Sequence, residues 1–228
     1  MDKLFILGTT EYSFMIHRMI EKEGQFDILG HAVSKSQFAY NLGLCSKRGV
    51  KLYEFENLKE NVEFGDPVNV LNTIGYSKMN QIREKMYNEC IELGYHPVNY
   101  ISHQSICLSK IEGSGNIIFP GAYIGTNVSV DNNNVFYSGT VITHDIKIGS
   151  HNFFAANSTV GGMVLVGNNC FIGMGAVIRN RLVVSDSTLV GAGGYLDMDT
   201  EKEDVIVPPK SIKLRKKSSE VNLTPRRK

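Results

Sequence analysis

The sequence predicts a two-part chain: a small parallel α/β sheet covered by helices, then a parallel β-helix built from six-residue repeats. Two observations carry this. From Ile118, every sixth residue is apolar without a break, through Ile124, Val130, Phe136, Ile142, Ile148, Phe154, Val160, Val166, Ile172, Ile178, Val184 and Val190. Ahead of that repeat, the first hundred residues alternate short apolar runs with helix-like segments. In a chain that is 42% apolar, so long a run at period six is not a chance event, and neither a helix of period 3.6 nor an alternating strand produces it.

Each hexad supplies one short strand and one corner. Three hexads, about 18 residues, close a triangular coil whose sixth-position side chains point down the axis. The fourth residue after each anchor should also fit inside. Those residues are Ala122, Val128, Asn134, Thr140, Ile146, Asn152, Ser158, Val164, Cys170, Ala176, Leu182, Thr188 and Gly194, most of them small or aliphatic. Asn134 and Asn152 are placed to stack and satisfy each other across coils. The repeat is expected to decay at Gly191-Ala192-Gly193-Gly194.

In the N-terminal part, Lys3 to Leu7 is a short apolar run ending at Gly8, and Thr9 or Thr10 can cap a helix through Glu23. A second run, Asp27 to Val33, ends in Ser34-Lys35-Ser36-Gln37. A third, Val68 to Ile74, ends at Gly75-Tyr76-Ser77. Ser77 then caps a helix to about Leu93, with Ile82, Met86, Cys90 and Leu93 along one side. Val98 to Ile101 leads into the repeat. This alternation implies a Rossmann-like sheet. The expected domains are residues 1–101, 102–214 and a basic tail, 215–228, whose final dozen residues are expected to be disordered.

Ligands of open parallel sheets settle at the carboxyl ends of the strands, so the candidate ligand loops are Gly8-Thr9-Thr10, Ser34-Lys35 and Gly75-Tyr76. The glycine fingerprint for a dinucleotide is missing, because Gly8 stands alone and no acidic residue follows the second strand. A small nucleotide or sugar-nucleotide pocket fits; a domain that only packs and spaces is the alternative.

Net charge is +1, which argues against a field that recruits nucleic acid or acidic membranes. Cys45, Cys90, Cys107 and Cys170 show no paired spacing and no zinc motif, which suggests a reducing compartment. The N-terminus lacks a secretory h-region, and no apolar stretch approaches the roughly 20 residues that span a bilayer. The expectation is a cytoplasmic protein without membrane insertion.

Among six histidines, His144 stands out because it lies inside the repeat, two residues after an inward anchor and so near a corner. Imidazole accepts a proton near neutrality, and Asp145 follows to hold its tautomer. An exposed polar corner would look the same. One coil on stands Gly162, and above it Asn180. A glycine over a histidine lets a substrate approach the backbone and frees an N–H for a carbonyl oxygen; a corner needing positive φ is the other reading.

The stretches Thr143-His144-Asp145-Ile146-Lys147-Ile148-Gly149, Val166-Gly167-Asn168-Asn169-Cys170-Phe171-Ile172-Gly173, Val207-Pro208-Pro209-Lys210 and Gly75-Tyr76-Ser77-Lys78-Met79-Asn80-Gln81-Ile82-Arg83 resemble the left-handed β-helix acyltransferases that modify amino sugars. The branch is the one with an N-terminal sugar-nucleotide domain, which includes the bacillosamine-pathway, perosamine and viosamine N-acetyltransferases and the sialic-acid O-acetyltransferases. The resemblance runs to about residue 214. It implies His144 as the catalytic base, Asp145 as its acidic partner and Gly162 as the donor to the thioester carbonyl. It implies acetyl-CoA as co-substrate along Gly162 and Asn180 with its far end near Ala192 and Lys210, and the nucleotide in the N-terminal loops. A histidine on one flat face of a prism needs a second wall, which predicts a homotrimer with sites between adjacent prisms; the transfer needs no metal, and its expected place is surface glycan biosynthesis. Ser34-Lys35 lacks the acidic residues some relatives use to grip base or ribose, which leaves the nucleotide open. A sugar O-acetyltransferase, a longer acyl donor, a β-helical zinc enzyme and a non-catalytic spacer are the rival readings. The zinc reading would need three convergent imidazoles, whereas the repeat offers His144 and His151, which do not share a column.

Overall fold

The computed structural model describes residues 1–60, 67–211, 213, 215 and 217–220. The expected disorder of the tail falls largely on residues 221–228, outside the described residues.

Alternation builds the first sheet. In β1 (Lys3–Leu7), Leu4 and Ile6 point to one side and Phe5 and Leu7 to the other, and the two pairs enter separate apolar clusters. Five parallel strands follow the order β3-β2-β1-β4-β5, with β2 at Asp27–Val33, β3 at Leu52–Glu54, β4 at Asn69–Asn72 and β5 at His96–Pro97. Helix α1 (Glu11–Glu23) starts at a capping box of Thr10 and Ser13 and stops at Gly24, whose left-handed φ of 63° only glycine adopts cheaply. The polar stretch after β2 begins a helix, α2 (Lys35–Lys47).

The third helix differs from its expected form. α3 spans Gln81–Glu92 with Asn80 at its N-cap, and Ser77 is exposed. Lys78, Met79 and Asn80 form a left-handed turn at φ of 52°, 50° and 64°, held because the buried Asn80 donates to the Cys170 carbonyl at 3.0 Å. Ile82 and Leu93 are exposed, whereas Cys90 is buried and Met86 packs beside it against the sheet, as expected of that side. Arg83 and Tyr87 are buried as well, and their face docks on the β-helix. Its fully buried Arg83 donates to the carbonyls of Asn133, His151 and Asn152, and burial lowers its pKa to about 10.

The second part is a left-handed parallel β-helix with three stacked sheets. The first face carries seven strands from Tyr100–Ile101 to Val205–Ile206, the second six from Ile106–Cys107 to Tyr195–Leu196, and the third four from Val128–Val130 to Val183–Val184. Partners such as Val135↔Phe153 and Val141↔Thr159 set the coil length. Every period-six anchor is buried, as are the fourth-position residues. Asn134 and Asn152 do stack, but each satisfies the next coil's backbone: Asn134 Oδ1 accepts from the Asn152 N–H at 2.9 Å and Asn152 Oδ1 from the Cys170 N–H at 2.7 Å. The coil does not end at Gly191. That glycine-rich segment closes another turn, and Leu196 and Ile206 continue the core.

α1 and one side of the sheet lie against the outside of the first face. Ile16, Ile20 and Leu71 meet Ile117, Phe119, Val135 and Phe153 there. The carboxyl ends of β1 and β4 therefore open toward the higher coils of that face.

Candidate active site

His144 sits in the turn between Val141–Ile142 on the second face and Ile146–Ile148 on the third. Asp145 follows at φ 55°, a left-handed corner that Asp tolerates better than most residues. The turn is tied to its neighbours by Asp145 N–H to Thr126 O (3.1 Å) and Met163 N–H to His144 O (3.0 Å). His144 Nδ1 lies 2.8 Å from Asp145 Oδ2, and Asp145 Oδ1 accepts from Asn127 Nδ2 at 2.6 Å. The Asn127 amide first, and His144 second, hold the Asp145 carboxyl below the usual carboxylate range. An ionised carboxylate only accepts, so Nδ1 carries a proton, and in the neutral ring the lone pair then lies on Nε2. The side chains of His144 and Asp145 are about half exposed (51% and 46%), so a solvent-borne molecule reaches the pair.

Gly162 lies directly against that ring. A Cβ there would meet His144 Cε1 and Nε2 at 2.5 Å each. The positive φ of this corner falls on Met163 (62°), and Gly162 is not among the left-handed glycines, so glycine is needed for close approach rather than for its φ. Among the described residues, no protein group accepts the Gly162 N–H, while its carbonyl takes the Arg181 N–H at 2.9 Å. Asn180 is exposed one coil above. The corner thus brings together an imidazole, a carboxylate bonded to it and a backbone N–H that no described group accepts, chemistry able to take a proton from a nucleophile beside a carbonyl.

The strand-end loops form a second cluster. Gly8 (φ 115°) is wedged against Ser13 and Thr73, and its carbonyl meets His31 Nδ1 at 2.7 Å. Thr9 Oγ1 donates to Asn41 Oδ1 at 2.7 Å, and Thr10 caps α1. The Lys35 N–H donates to Glu56 at 2.9 Å, so an acid does stand beside Ser34-Lys35, supplied by the segment after β3. Sequence order gave no sign of it. Tyr76, beyond Gly75, packs on Phe153 and Phe171 at centroid distances of 5.0 and 4.9 Å. Here a mostly apolar groove of about 430 Å³ opens between Tyr12, Gly75 and Tyr76 on one side and Tyr137, Phe153, Phe171, Met174 and Ala192 on the other. A larger cleft of about 640 Å³, lined by His17, Arg18, Arg48 and Lys51, lies toward the amino ends of β2 and β3 and contains none of the expected site residues.

Ala192 stands off the His144–Gly162–Asn180 column. It lies in the turn from first to second face, above Met174, and lines the aromatic groove. Lys210 is exposed past the last strand, Val205–Ile206. The groove lining also omits His144, so one chain keeps base and strand-end loops on different edges of the prism. His151 is a domain-interface residue: its ring lies edge-on to Tyr87 and bonds Asn133 Nδ2 at 2.8 Å.

No family model matches the chain, and no curated protein matches it in sequence. Solved structures do match. PerB from Caulobacter crescentus, described in complex with CoA and GDP-perosamine, superposes with a TM-score of 0.62 at 17% identity over 90% of this chain and 94% of that one. The acetyltransferase domain of PglB from Neisseria gonorrhoeae FA1090 gives 0.62 at 16% identity, covering 91% and 97%. WeeI from Acinetobacter baumannii AYE gives 0.58 at 13%, covering 90% and 96%. The chain shares their fold. That fold is an α/β domain followed by a left-handed parallel β-helix.

Proposed function

We propose that this chain is an acetyl-CoA-dependent N-acetyltransferase acting on the amino group of a nucleotide-linked amino-deoxy sugar such as a 4-amino- or 3-amino-6-deoxyhexose. The observation that carries the reading is the His144 ring, held at Nδ1 by Asp145 and pressed on Gly162 with Nε2 free. The amine nitrogen attacks the thioester carbonyl carbon as Nε2 takes its proton. The Gly162 N–H stabilises the oxyanion, the C–S bond breaks, and the thiolate leaves to be protonated by the imidazolium or solvent. The acyl group passes directly to the amine, so no side chain need be acylated; Cys170, buried and with its thiol pushed up to about 12, is a poor nucleophile.

Acetyl-CoA runs along the Gly162–Asn180 corner, and the nucleotide sits in the Gly8-Thr9-Thr10, Ser34-Lys35 and Gly75-Tyr76 loops. PerB, described with CoA and GDP-perosamine, and the PglB domain, described with acetyl coenzyme A, support these ligand classes. The separation of base and groove supports a homotrimer. Each site then combines the His144 corner of one prism with the groove of the next, which also brings Ala192 to the acyl donor. The exposed Met163, Leu165 and Val183 on and beside the third face suit such packing.

The test is acetyl transfer to a panel of nucleotide-linked amino and hydroxy sugars that includes GDP-perosamine. His144→Ala should lose about 10²–10⁴-fold in kcat while keeping acetyl-CoA affinity. Undiminished turnover in that variant rejects the mechanism, preference for a hydroxy sugar rejects N-transfer, and a monomer by sedimentation rejects the shared site.

A further inference from the structure

We propose that Asn127 is a positioning residue of this reaction: its side-chain amide pins Asp145 Oδ1, which leaves Oδ2 at His144 Nδ1 and keeps the Nε2 lone pair aimed outward. The inference rests on the acyl-transfer reading of the corner. Asn127 belongs to the coil below, 18 residues before Asp145. The two residues occupy equivalent corners with matching left-handed φ values of 54° and 55°, so the solenoid itself stacks amide under carboxylate.

The physical need is specific. A carboxylate turns about a broad, roughly two-fold terminal torsion, and Asp145 is nearly half exposed, so packing does not set its plane. One bond to the ring leaves the carboxylate free to swing. A second bond to the other oxygen fixes it, and with it the imidazole. Among the described residues, His144 is the titratable side chain in contact with Asp145, and Asn127 is its other side-chain partner. The amide must present its nitrogen, because an oxygen would face a carboxylate oxygen. The lowered Asp145 pKa, with the Asn127 bond as its largest cause, agrees with a carboxylate kept ionised.

The bland account is that Asn127 is present only because the corner needs a left-handed residue. Asn127→Gly and Asn127→Asp separate the two, since glycine and aspartate both adopt that conformation readily. Glycine removes the amide. Aspartate replaces the donor with a second carboxylate that repels Asp145. The measurements use the full chain: kcat and KM for acetyl-CoA with GDP-perosamine or whichever panel acceptor turns over, thermal melting, and nitrogen-15 NMR of the His144 ring.

In both variants kcat should fall about tenfold to a hundredfold, bounded by the ~10²-fold effect of a 1 Å misplacement. KM for acetyl-CoA and the melting temperature should hold, and the Nδ1-protonated tautomer should give way to a mixture. Unchanged kcat with an unchanged tautomer in both variants overturns the proposal. If His144→Ala turns over normally, the reading of the reaction fails separately, and the NMR arm still decides whether Asn127 orients the pair.

Discussion

Gly162→Ala offers the sharpest separation of chemistry from folding. Its backbone φ is compatible with alanine, so the substitution by itself should be neutral or stabilising by about 0.5 kcal/mol. The new Cβ, however, would stand 2.5 Å from His144 Cε1 and Nε2, where ordinary carbon contacts lie near 3.5–4.0 Å. The neighbour is a half-exposed side chain, so it is the ring that yields, by about 1 Å. A displacement of that size costs about 10²-fold in rate, roughly 2.7 kcal/mol of transition-state stabilisation. Gly161→Ala is the control. Its Cβ would meet the Asn180 backbone nitrogen at 2.6 Å and the Ile178 carbonyl at 3.0 Å, and backbone in a stacked coil gives way less easily. It should cost about 1–3 kcal/mol of stability, a melting shift of about 2–4 °C per kcal/mol at this chain length. Steady-state acetyl transfer and thermal melting on both variants make the comparison. Full turnover in Gly162→Ala, or a melting loss as large as that of Gly161→Ala, would refute the argument.

Three further outcomes follow from buried polar groups. Arg83→Met removes the guanidinium and orphans the Asn133 and His151 carbonyls, which have no other partner among the described residues; it should lower stability by about 2–5 kcal/mol in urea titration. His31 is fully buried and burial lowers its pKa to about 4, with the Gly8 carbonyl opposing and His17, 2.8 Å from Nε2, adding to the shift. Its contribution is present above the unfolded value of about 6.5 and is lost as pH falls toward 4, because only the unfolded chain takes up the proton in that window. This loss is about 2 kcal/mol at pH 5. Melting curves between pH 7 and 5 should show it, and His31→Gln should flatten that slope. Asn152→Ala strands the buried Cys170 N–H and should cost about 2–4 kcal/mol by denaturant unfolding.

The solenoid could be read from the sequence because its period is written at every coil; Ile118 to Val190 all point inward, as do the small residues between them. Thr10 was legible as a cap for the same local reason. The His144–Asp145–Gly162 juxtaposition followed from adding one coil length to a residue number, and the same subtraction from Asp145 reaches Asn127. The docking face was also available in principle. Ile117, Val135, Phe153 and Phe171 stand outside the prism at one-coil spacing, whereas another outer column runs Ser129 and Lys147. Arg83 was hidden because an arginine on a helix normally reads as solvent-facing; only the solenoid's free turn carbonyls make its burial affordable. Glu56 had no local signal, since its partner loop is 21 residues away.

Arg83 grips successive turns of the spiral at Asn133 and at His151–Asn152, and His144 lies on the stretch between those grips. The helical domain is therefore pinned at a set height along the staircase, level with the step that bears the imidazole. The turn at Cys170 and Phe171 is still held by Asn80 and Tyr76; steps beyond it rest mainly on their immediate neighbours. The far end of the staircase can accordingly grow or shrink by whole turns, in evolution or by design, while the reach from strand tips to imidazole stays constant.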